Sequence, residues 1–227
     1  MIKACVFDAY GTLFDVGAAA RIAAGEPGAE GWAGKWPQIA ADWRRKQLEY
    51  TWLRAVAGAH ADFWRVTQDG LDWALENAGL SDTGLRSRLL QLYWDLAAFP
   101  EVPAMLVALA AQGQRLAILS NGSPGMLDGA VRSAGLGGVF EGLFSVESVG
   151  VFKPDRRVYE LVGAGLKLAP QEVLFVSSNG WDACAGAAYG FATVWVNRDG
   201  APRDRLFGSP QHVLSDLAAL PGLVESL

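Results

Sequence analysis

The chain has 227 residues, of which 51% are hydrophobic and 19% are charged. This length and composition are typical of a globular protein with one large domain, or with a core domain and a smaller insert. The formal net charge of -5 gives no general attraction to nucleic acid or to anionic membranes, so we expect neither as a partner.

The sequence shows no sign of membrane insertion or export. No stretch approaches the roughly 20 consecutive apolar residues of a membrane helix, and no basic segment followed by a longer apolar one opens the chain. We therefore expect a soluble protein in the reducing cytoplasm. The two cysteines, Cys5 and Cys184, have no metal-ligand spacing. With only His60 and His212, the sequence does not favour histidine-based catalysis or a His-rich metal site.

The opening segment, residues 4–14, combines a predicted strand with a carboxylate. Its β-branched and aromatic residues indicate a short buried strand, which Asp8 follows, and Gly11 indicates a turn. Open α/β sheets bind their ligands at the carboxyl ends of the strands, and a buried carboxylate needs a compensating partner. Asp8 is therefore a candidate functional residue, although a turn residue that closes the strand would give the same pattern.

A block of predicted helices follows the opening strand. Apolar residues recur there at spacings of three and four, and no segment has the composition of a strand. Gly79 is expected near the C-terminal end of the second helix. The three predicted helices cover residues 36–53, 63–78 and 82–97.

Strand-like and helix-like segments alternate after Phe99. The predicted strands are 115–121, 143–146, 172–177 and 193–196, and the predicted helices are 102–112, 126–134, 156–166, 181–189 and part of 214–227. Such alternation is typical of right-handed βαβ crossovers and a parallel sheet. We therefore predict an α/β fold with a Rossmann-like parallel-sheet core. Residues 1–14 and 98–227 would form that core, and residues 15–97 would form a helical cap inserted after the first strand.

Polar side chains recur where predicted strands end or in the loops that follow. They are Asp8, Ser120 with Asn121, Lys153, and the segment 177–182. The carboxyl ends of parallel strands meet at one edge of a sheet. Together these residues supply the groups for nucleophilic substitution on an anionic substrate. Taken singly, each would more often be a helix cap or a solvated loop residue, so it is their recurrence that favours a site.

These segments resemble the four sequence motifs of the haloacid dehalogenase superfamily. The similar segments are 8–12 for the first motif, 119–122 for the second, 153–154 for the third and 177–182 for the fourth. The similarity is closer to one branch, the L-2-haloacid dehalogenases, whose opening resembles residues 8–16 and whose cap resembles residues 43–53. The resemblance covers nearly the whole chain and is weakest at residues 17–35 and 198–227.

Tyr10 distinguishes this chain from the phosphatases of that superfamily. Those enzymes carry a second Asp two residues after the nucleophile, which protonates the leaving alkoxide and helps to hold Mg²⁺. A tyrosine supplies neither function at neutral pH. A halide leaves as a stable anion and needs no proton, so Tyr10 suits halide displacement.

The resemblance implies roles for the candidate catalytic residues. Asp8 would attack the halogen-bearing carbon and form an ester, and Lys153 would keep Asp8 ionised. Asp182 would activate the water that hydrolyses this ester. The supporting residues would be Thr12, bonded to Asp8; Tyr159, in the network of Lys153; and Ser177 and Asn179, which would position the water.

The resemblance also implies a site for the substrate. Its carboxylate would be bound by Ser120, Lys153 and the backbone amides near Ala9 and Tyr10. Arg44 of the cap would hold the departing halide, with Asn121 beside it, although a basic helix face such as the one around Arg44 is usually just solvated. The apolar wall around the alkyl group would consist of Tyr10, Leu48, Phe63 and Trp181.

The implied reaction converts an (S)-2-haloacid and water into an (R)-2-hydroxyacid and halide, without a metal ion or another cofactor. Two alternatives stay open: a phosphomonoesterase, which Tyr10 disfavours, and the same substitution on another electrophile such as a strained-ring amino acid. A binding module without activity is less favoured, because no expected polar residue is missing. Members of the family are commonly homodimers, so a homodimer is also expected.

Overall fold

The computed structural model describes all residues, Met1–Leu227. Six parallel strands form one sheet in the order β3-β2-β1-β4-β5-β6. The strands are β1 (Ala4–Phe7), β2 (Arg115–Ser120), β3 (Gly142–Ser145), β4 (Val173–Ser177), β5 (Ala192–Val196) and β6 (His212–Leu214). The predicted α/β class with a parallel sheet is therefore confirmed.

The first strand lies in the middle of this sheet. All four residues of β1 are buried, and Phe7 is in register with Ile118 of β2 on one side and Val176 of β4 on the other. From β1 the chain builds β2 and β3 on one side and then returns to build β4, β5 and β6 on the other. The order reverses between β1 and β4, and ligands of open α/β sheets bind at such a reversal.

Nine α-helices accompany the sheet. They are α1 (Ala18–Ala24), α2 (Trp36–Ala57), α3 (Phe63–Asn77), α4 (Thr83–Trp94), α5 (Val102–Ala111), α6 (Pro124–Ser133), α7 (Arg156–Leu166), α8 (Gly180–Tyr189) and α9 (Leu220–Glu225). None of them is both long enough and apolar enough to cross a bilayer. Helix α5 packs against β2, and α8 packs against β4 and β5.

Helices α1 to α4 form a block between β1 and α5, and no strand of the sheet comes from this block. Two chain segments join the block to the sheet side by side. The amide of Asp15 donates to the carbonyl of Ala97 at 3.1 Å, and the amide of Phe99 donates to the carbonyl of Leu13 at 2.9 Å. The chain therefore leaves the sheet and returns to it at almost the same place.

The predicted elements are all present, with small differences in their bounds. Helix α2 extends to Ala57, beyond the predicted end at residue 53. The prediction ended too early because it followed a pattern of buried apolar residues, and Leu53 and Val56 are exposed. The helix ends at Gly58, whose φ of +63° favours glycine at a helix C-terminus. Helix α1 and strand β6 were not predicted. At seven and three residues, both are too short for a periodic pattern to be recognised.

Helices α2 and α3 approach each other closely at Gly70. A Cβ atom on Gly70 would lie 3.1 Å from the backbone nitrogen of Gln47 and 3.3 Å from the carbonyl oxygen of Trp43. Close to this point the indole of Trp43 donates to the carbonyl of Thr67 at 2.8 Å. The absence of a side chain at Gly70 therefore sets the spacing of the two helices.

We expect Gly70→Ala to destabilise the protein, because the added methyl group would meet backbone atoms that cannot rotate away. Overpacking of this kind outweighs the better helix propensity of alanine, leaving a loss of about 1–2 kcal/mol. Thermal unfolding should show a midpoint lowered by about 2–8 °C. Gly222→Ala in α9 is the matched control, since a Cβ there meets nothing within 4 Å. An unchanged midpoint for Gly70→Ala would show that the helices separate without cost.

Candidate active site

Asp8 is bonded at both carboxylate oxygens. Its Oδ1 lies 3.1 Å from Nζ of Lys153, while its Oδ2 accepts hydrogen bonds from Oγ1 of Thr12 and from Nδ2 of Asn179, both at 3.0 Å. The residue is only 6% exposed. Three donors therefore orient an almost fully buried carboxylate, and one of these donors, Lys153, is a cation.

Lys153 bridges two carboxylates. Its Nζ also lies 2.8 Å from Oδ2 of Asp182, and the hydroxyl of Tyr159 donates to Oδ1 of Asp182 at 2.7 Å. Lys153, Asp182 and Tyr159 are almost completely buried. Buried charges of this kind are stable only when they are paired and hydrogen-bonded, and here each charged group has such a partner.

The pKa values of this cluster follow from burial and from the neighbouring charges. Burial lowers the pKa of Lys153, but the charges of Asp182 and Asp8 outweigh burial and raise that pKa above its usual range. The lysine is therefore a cation at neutral pH. Burial and the charge of Asp8 raise the pKa of Asp182, although Lys153 and the hydrogen bond from Tyr159 act against this rise. Burial is also the main reason why the pKa of Tyr159 is well above its usual range, so Tyr159 stays a hydrogen-bond donor.

The end of β2 supports the lysine through its backbone. Oδ1 of Asn121 accepts a hydrogen bond from the amide of Lys153 at 3.0 Å. Oγ of Ser120 accepts from the amide of Gly122 at 3.0 Å, which closes a tight turn. Both Ser120 and Asn121 are buried beside the cluster.

The end of β4 supports the side of the cluster that contains Asp8. Oγ of Ser177 accepts from the amide of Asn179 at 3.2 Å. Ser178, between them, was not predicted as a site residue. Its amide donates to Oγ1 of Thr12 at 2.8 Å, and the two hydroxyl oxygens lie 3.1 Å apart. Ser178 thus orients the Thr12 hydroxyl that bonds Asp8.

Arg44 reaches the sheet edge from helix α2. Its Nη2 donates to the carbonyl oxygen of Tyr10 at 3.0 Å and to Oδ1 of Asn179 at 3.2 Å. Its Nη1 donates to Oε1 of Gln47 at 2.9 Å. Gln47 is itself buried and was not predicted as a site residue. The amide beside the guanidinium is therefore that of Asn179, whereas Asn121 contacts the lysine backbone.

The predicted apolar wall contains aromatic side chains that pack in pairs. The rings of Tyr10 and Phe63 are 5.8 Å apart, and both residues are almost fully buried. Trp181 is partly buried and meets Trp52 of helix α2 edge to face at 5.4 Å. Leu48 of the same helix is also partly buried. The rings of Tyr10 and Phe63 thus pack against each other in the interior, next to the loop that carries Asp8.

Two backbone amides near Asp8 are free to bind an anion. The nitrogens of Ala9 and Tyr10 donate to no backbone carbonyl of the chain, although both residues are buried. Buried amides without partners are rare, and adjacent ones form anion-binding sites.

No group of three or more His, Cys, Asp or Glu side chains in the chain is arranged to hold a metal ion.

Comparison with known families identifies this arrangement. The profile of the haloacid dehalogenase-like hydrolases matches residues 2–190. This chain belongs to that family. Within it, the sequence is 44% identical over 224 residues to (S)-2-haloacid dehalogenase 1 of Pseudomonas sp. (strain CBS-3), covering 98% of this chain and 96% of the relative. It is 43% identical over 226 residues to the (S)-2-haloacid dehalogenase of Pseudomonas sp. (strain YL), covering 99% and 95%.

A solved structure of a related haloacid dehalogenase-like hydrolase carries a ligand on the protein. It is L-2-haloacid dehalogenase from Xanthobacter autotrophicus with chloropropionic acid covalently bound. The present structure superposes on it with a TM-score of 0.89 and 38% sequence identity, and the match covers 100% of both chains. The predicted membership in the (S)-2-haloacid dehalogenase branch is therefore confirmed.

In this haloacid dehalogenase-like hydrolase, hydrogen bonds connect most of the predicted catalytic residues into one network. The connected residues are Asp8, Thr12, Arg44, Asn121, Lys153, Tyr159, Ser177, Asn179 and Asp182. Ser120 lies next to this network but bonds only the amide of Gly122. Their roles in a reaction stay predictions.

We expect Lys153→Met to be destabilised in a pH-dependent way. Without the ammonium group, two buried carboxylates face each other, which should cost about 3–5 kcal/mol at pH 8. The folded variant would relieve this cost by binding a proton that the unfolded chain does not bind. Its stability should therefore rise, relative to the natural protein, as the pH falls towards 5.

Urea unfolding of both proteins at pH 5 and at pH 8 measures this difference. Lys3→Met is the control, because Lys3 is largely exposed in its pair with Glu172 and such pairs contribute less than about 1 kcal/mol. A deficit of Lys153→Met that is the same at both pH values would show that the two carboxylates do not depend on the lysine charge.

Proposed function

We propose that the protein hydrolyses (S)-2-haloalkanoic acids to (R)-2-hydroxyacids and halide through an ester of Asp8. The observation that carries this proposal is a buried carboxylate held beside Lys153, with an apolar ring, Tyr10, where a phosphatase needs a second carboxylate. Relatives named (S)-2-haloacid dehalogenase match the whole chain, and they support the substrate class. The alternatives of a phosphate ester or a strained-ring substrate have no such support.

The first step is substitution at the carbon that carries the halogen. An oxygen of Asp8 donates an electron pair to C2 of the substrate, and the carbon–halogen bond breaks with its pair on the halide, so that C2 is inverted. A carboxylate is a weak nucleophile in water, but Asp8 is only 6% exposed. Thr12 and Asn179 hold it in one orientation, which reduces the entropy lost on reaching the transition state.

The charges that the substrate brings have donors in the site. Its carboxylate would bind the free amides of Ala9 and Tyr10, with Ser120 and Lys153 nearby. Negative charge develops on the halogen during the step, and preorganised donors stabilise such charge best. Arg44 is the cation that the helical block brings to the sheet edge, so we assign it the halide. The sequence prediction placed Asn121 beside it, whereas the amide that contacts the guanidinium is that of Asn179.

The second step is hydrolysis of the ester. Water attacks the carbonyl carbon of the Asp8 ester, Asp182 accepts the proton of that water, and the bond from the carbonyl carbon to the substrate oxygen breaks. The leaving oxygen of the hydroxyacid takes the second proton of the water, Asp8 regains its carboxylate with one oxygen from water, and Asp182 releases its proton to solvent. Burial raises the pKa of Asp182, which makes it a better proton acceptor than an exposed carboxylate. Ser177 and Asn179 would position the water.

The natural protein should release chloride from (S)-2-chloropropionate without added Mg²⁺, and Asp8→Asn should lower this rate by at least about 10³-fold, because the nucleophile is lost. Chloride titration measures the rate. A single turnover in ¹⁸O-labelled water, followed by mass spectrometry, should place the label in the peptide that contains Asp8.

The (R) enantiomer and a phosphate monoester with Mg²⁺ serve as comparison substrates, and neither should react at a similar rate. If no short 2-haloacid releases halide while the phosphate ester is hydrolysed, the proposed chemistry is wrong. Label that appears only in the hydroxyacid would mean direct attack of water on the substrate carbon.

We further propose that residues 15–97 act as a cap and that the protein is a homodimer in the cytoplasm. Arg44 and the contact of Trp52 with Trp181 support the cap. Helix α2 exposes Leu53 by 59% and Val56 by 91%, and exposed apolar residues clustered on one face often mark an interface. A second copy of the chain could cover these two side chains.

Sedimentation tests this surface. The natural protein should sediment at twice the mass of one chain, and Leu53→Glu should shift it towards the monomer, because a charge would be buried at the interface. Val107→Glu in α5 is the control, since Val107 is 70% exposed but lies outside the helical block. A monomer for the natural protein at working concentration would refute the dimer.

A further inference from the structure

Glu147 joins the sheet to the helical block. It lies in the short helical turn Val146–Ser148 that follows β3. Its Oε2 lies 2.8 Å from Nε2 of His60, and its Oε1 accepts a hydrogen bond from the amide of Phe63 at 3.2 Å. Because a carboxylate only accepts, Nε2 of His60 carries the proton. One side chain from the sheet thus holds two residues of the block.

Glu147 is fixed on its own side by the turn in which it lies. Oγ of Ser145 accepts a hydrogen bond from the amide of Glu147 at 3.2 Å and donates to the carbonyl of Gly122 at 2.7 Å. Gly122 directly follows Asn121, the residue that bonds the backbone of Lys153. The loop after β2 therefore helps to position both the carboxylate of Glu147 and the backbone of Lys153.

The two residues that Glu147 holds belong to an aromatic series leading to the nucleophile. The ring of His60 is 4.7 Å from that of Phe152, and the ring of Phe152 is 6.1 Å from that of Phe63. Phe63 in turn lies 5.8 Å from Tyr10. Phe152 is fully buried and immediately precedes Lys153. A shift of His60 or Phe63 would therefore change the packing around Tyr10, two residues from Asp8.

The bond to the Phe63 amide matters because Phe63 is the first residue of α3. The first amides of a helix have no partner inside the helix, so an acceptor from elsewhere determines where they lie. Asp62 caps the amide of Trp64 at 2.7 Å, which leaves that of Phe63 to Glu147. The position of the Phe63 ring thus depends on a carboxylate of the opposite side of the site.

We propose that Glu147 is a positioning residue that sets the Phe63 wall and thereby the preference for the alkyl group of the substrate. This inference rests on the proposed function, since it concerns the substrate of the same site. It differs from a general role in stability, because its effect should depend on which alkyl group the substrate carries.

Chloroacetate and (S)-2-chloropropionate differ by one methyl group, so the ratio of their kcat/KM values tests the wall. We expect Glu147→Ala to lower the ratio of chloropropionate to chloroacetate about tenfold, since a methyl group in an apolar pocket is worth about 10–200-fold. The ratio does not depend on the fraction of enzyme that is folded. Glu147→Gln should keep most of the natural ratio, because its side-chain oxygen can still accept from the Phe63 amide.

Controls separate the two contacts of Glu147. His60→Ala removes the imidazole but keeps the acceptor for Phe63, so its ratio should change less than that of Glu147→Ala. Glu141→Ala removes a carboxylate just before β3 that pairs with Arg115 and should leave the ratio unchanged. If Glu147→Ala leaves the ratio unchanged, including the case in which kcat/KM falls equally for both substrates, the proposal is wrong.

Hydrogen exchange of the Phe63 amide tests the same contact without activity. NMR should show this amide protected in the natural protein and in Glu147→Gln, and exposed in Glu147→Ala. Absence of turnover in the natural protein would refute the proposed function, whereas an unprotected Phe63 amide in the natural protein would refute the positioning role.

Discussion

The burial of Lys153 between two carboxylates is the interaction on which the rest of the site depends. The ammonium group, Asp8 and Asp182 are each too costly to bury alone, and together they satisfy one another at 2.8–3.1 Å. One cation therefore stabilises both carboxylates. Such a cluster is stable only if the segments that follow the strands are held in place, and the sheet holds them.

The sheet places these groups by topology. Asp8 follows the central strand and Asp182 follows the neighbouring β4, on the two sides of the point where the strand order reverses. The loop after β2 contains Gly122, where a Cβ atom would lie 2.7 Å from the ring of Tyr10. The absence of a side chain at Gly122 thus leaves room for the ring of Tyr10, at the position where the phosphatases of the superfamily carry a second carboxylate.

The sequence predicted the parallel sheet, because the alternation of strands and helices from residue 99 onward has few alternatives. It also placed Asp8, Lys153 and Asp182 at one edge, since that edge follows from the topology. It did not predict the contact of Arg44 with Asn179, which are 135 positions apart, because that contact depends on how the helical block sits on the sheet. Ser178 was not singled out because it lies in a run of polar residues just before α8, where the sequence alone does not show which hydroxyl contacts Thr12.

The charges of Asp8, Lys153 and Asp182 would link the two steps of the proposed reaction. Without substrate, Asp8 and Asp182 share one lysine, and the charge of Asp8 helps to raise the pKa of Asp182. In the proposed reaction Asp8 becomes a neutral ester, so this contribution would disappear and Lys153 would favour the ionised form of Asp182. Asp182, the proposed proton acceptor, would therefore ionise more readily once the ester has formed. In the proposed mechanism, the first step would thus prepare the second through the change of charge on Asp8.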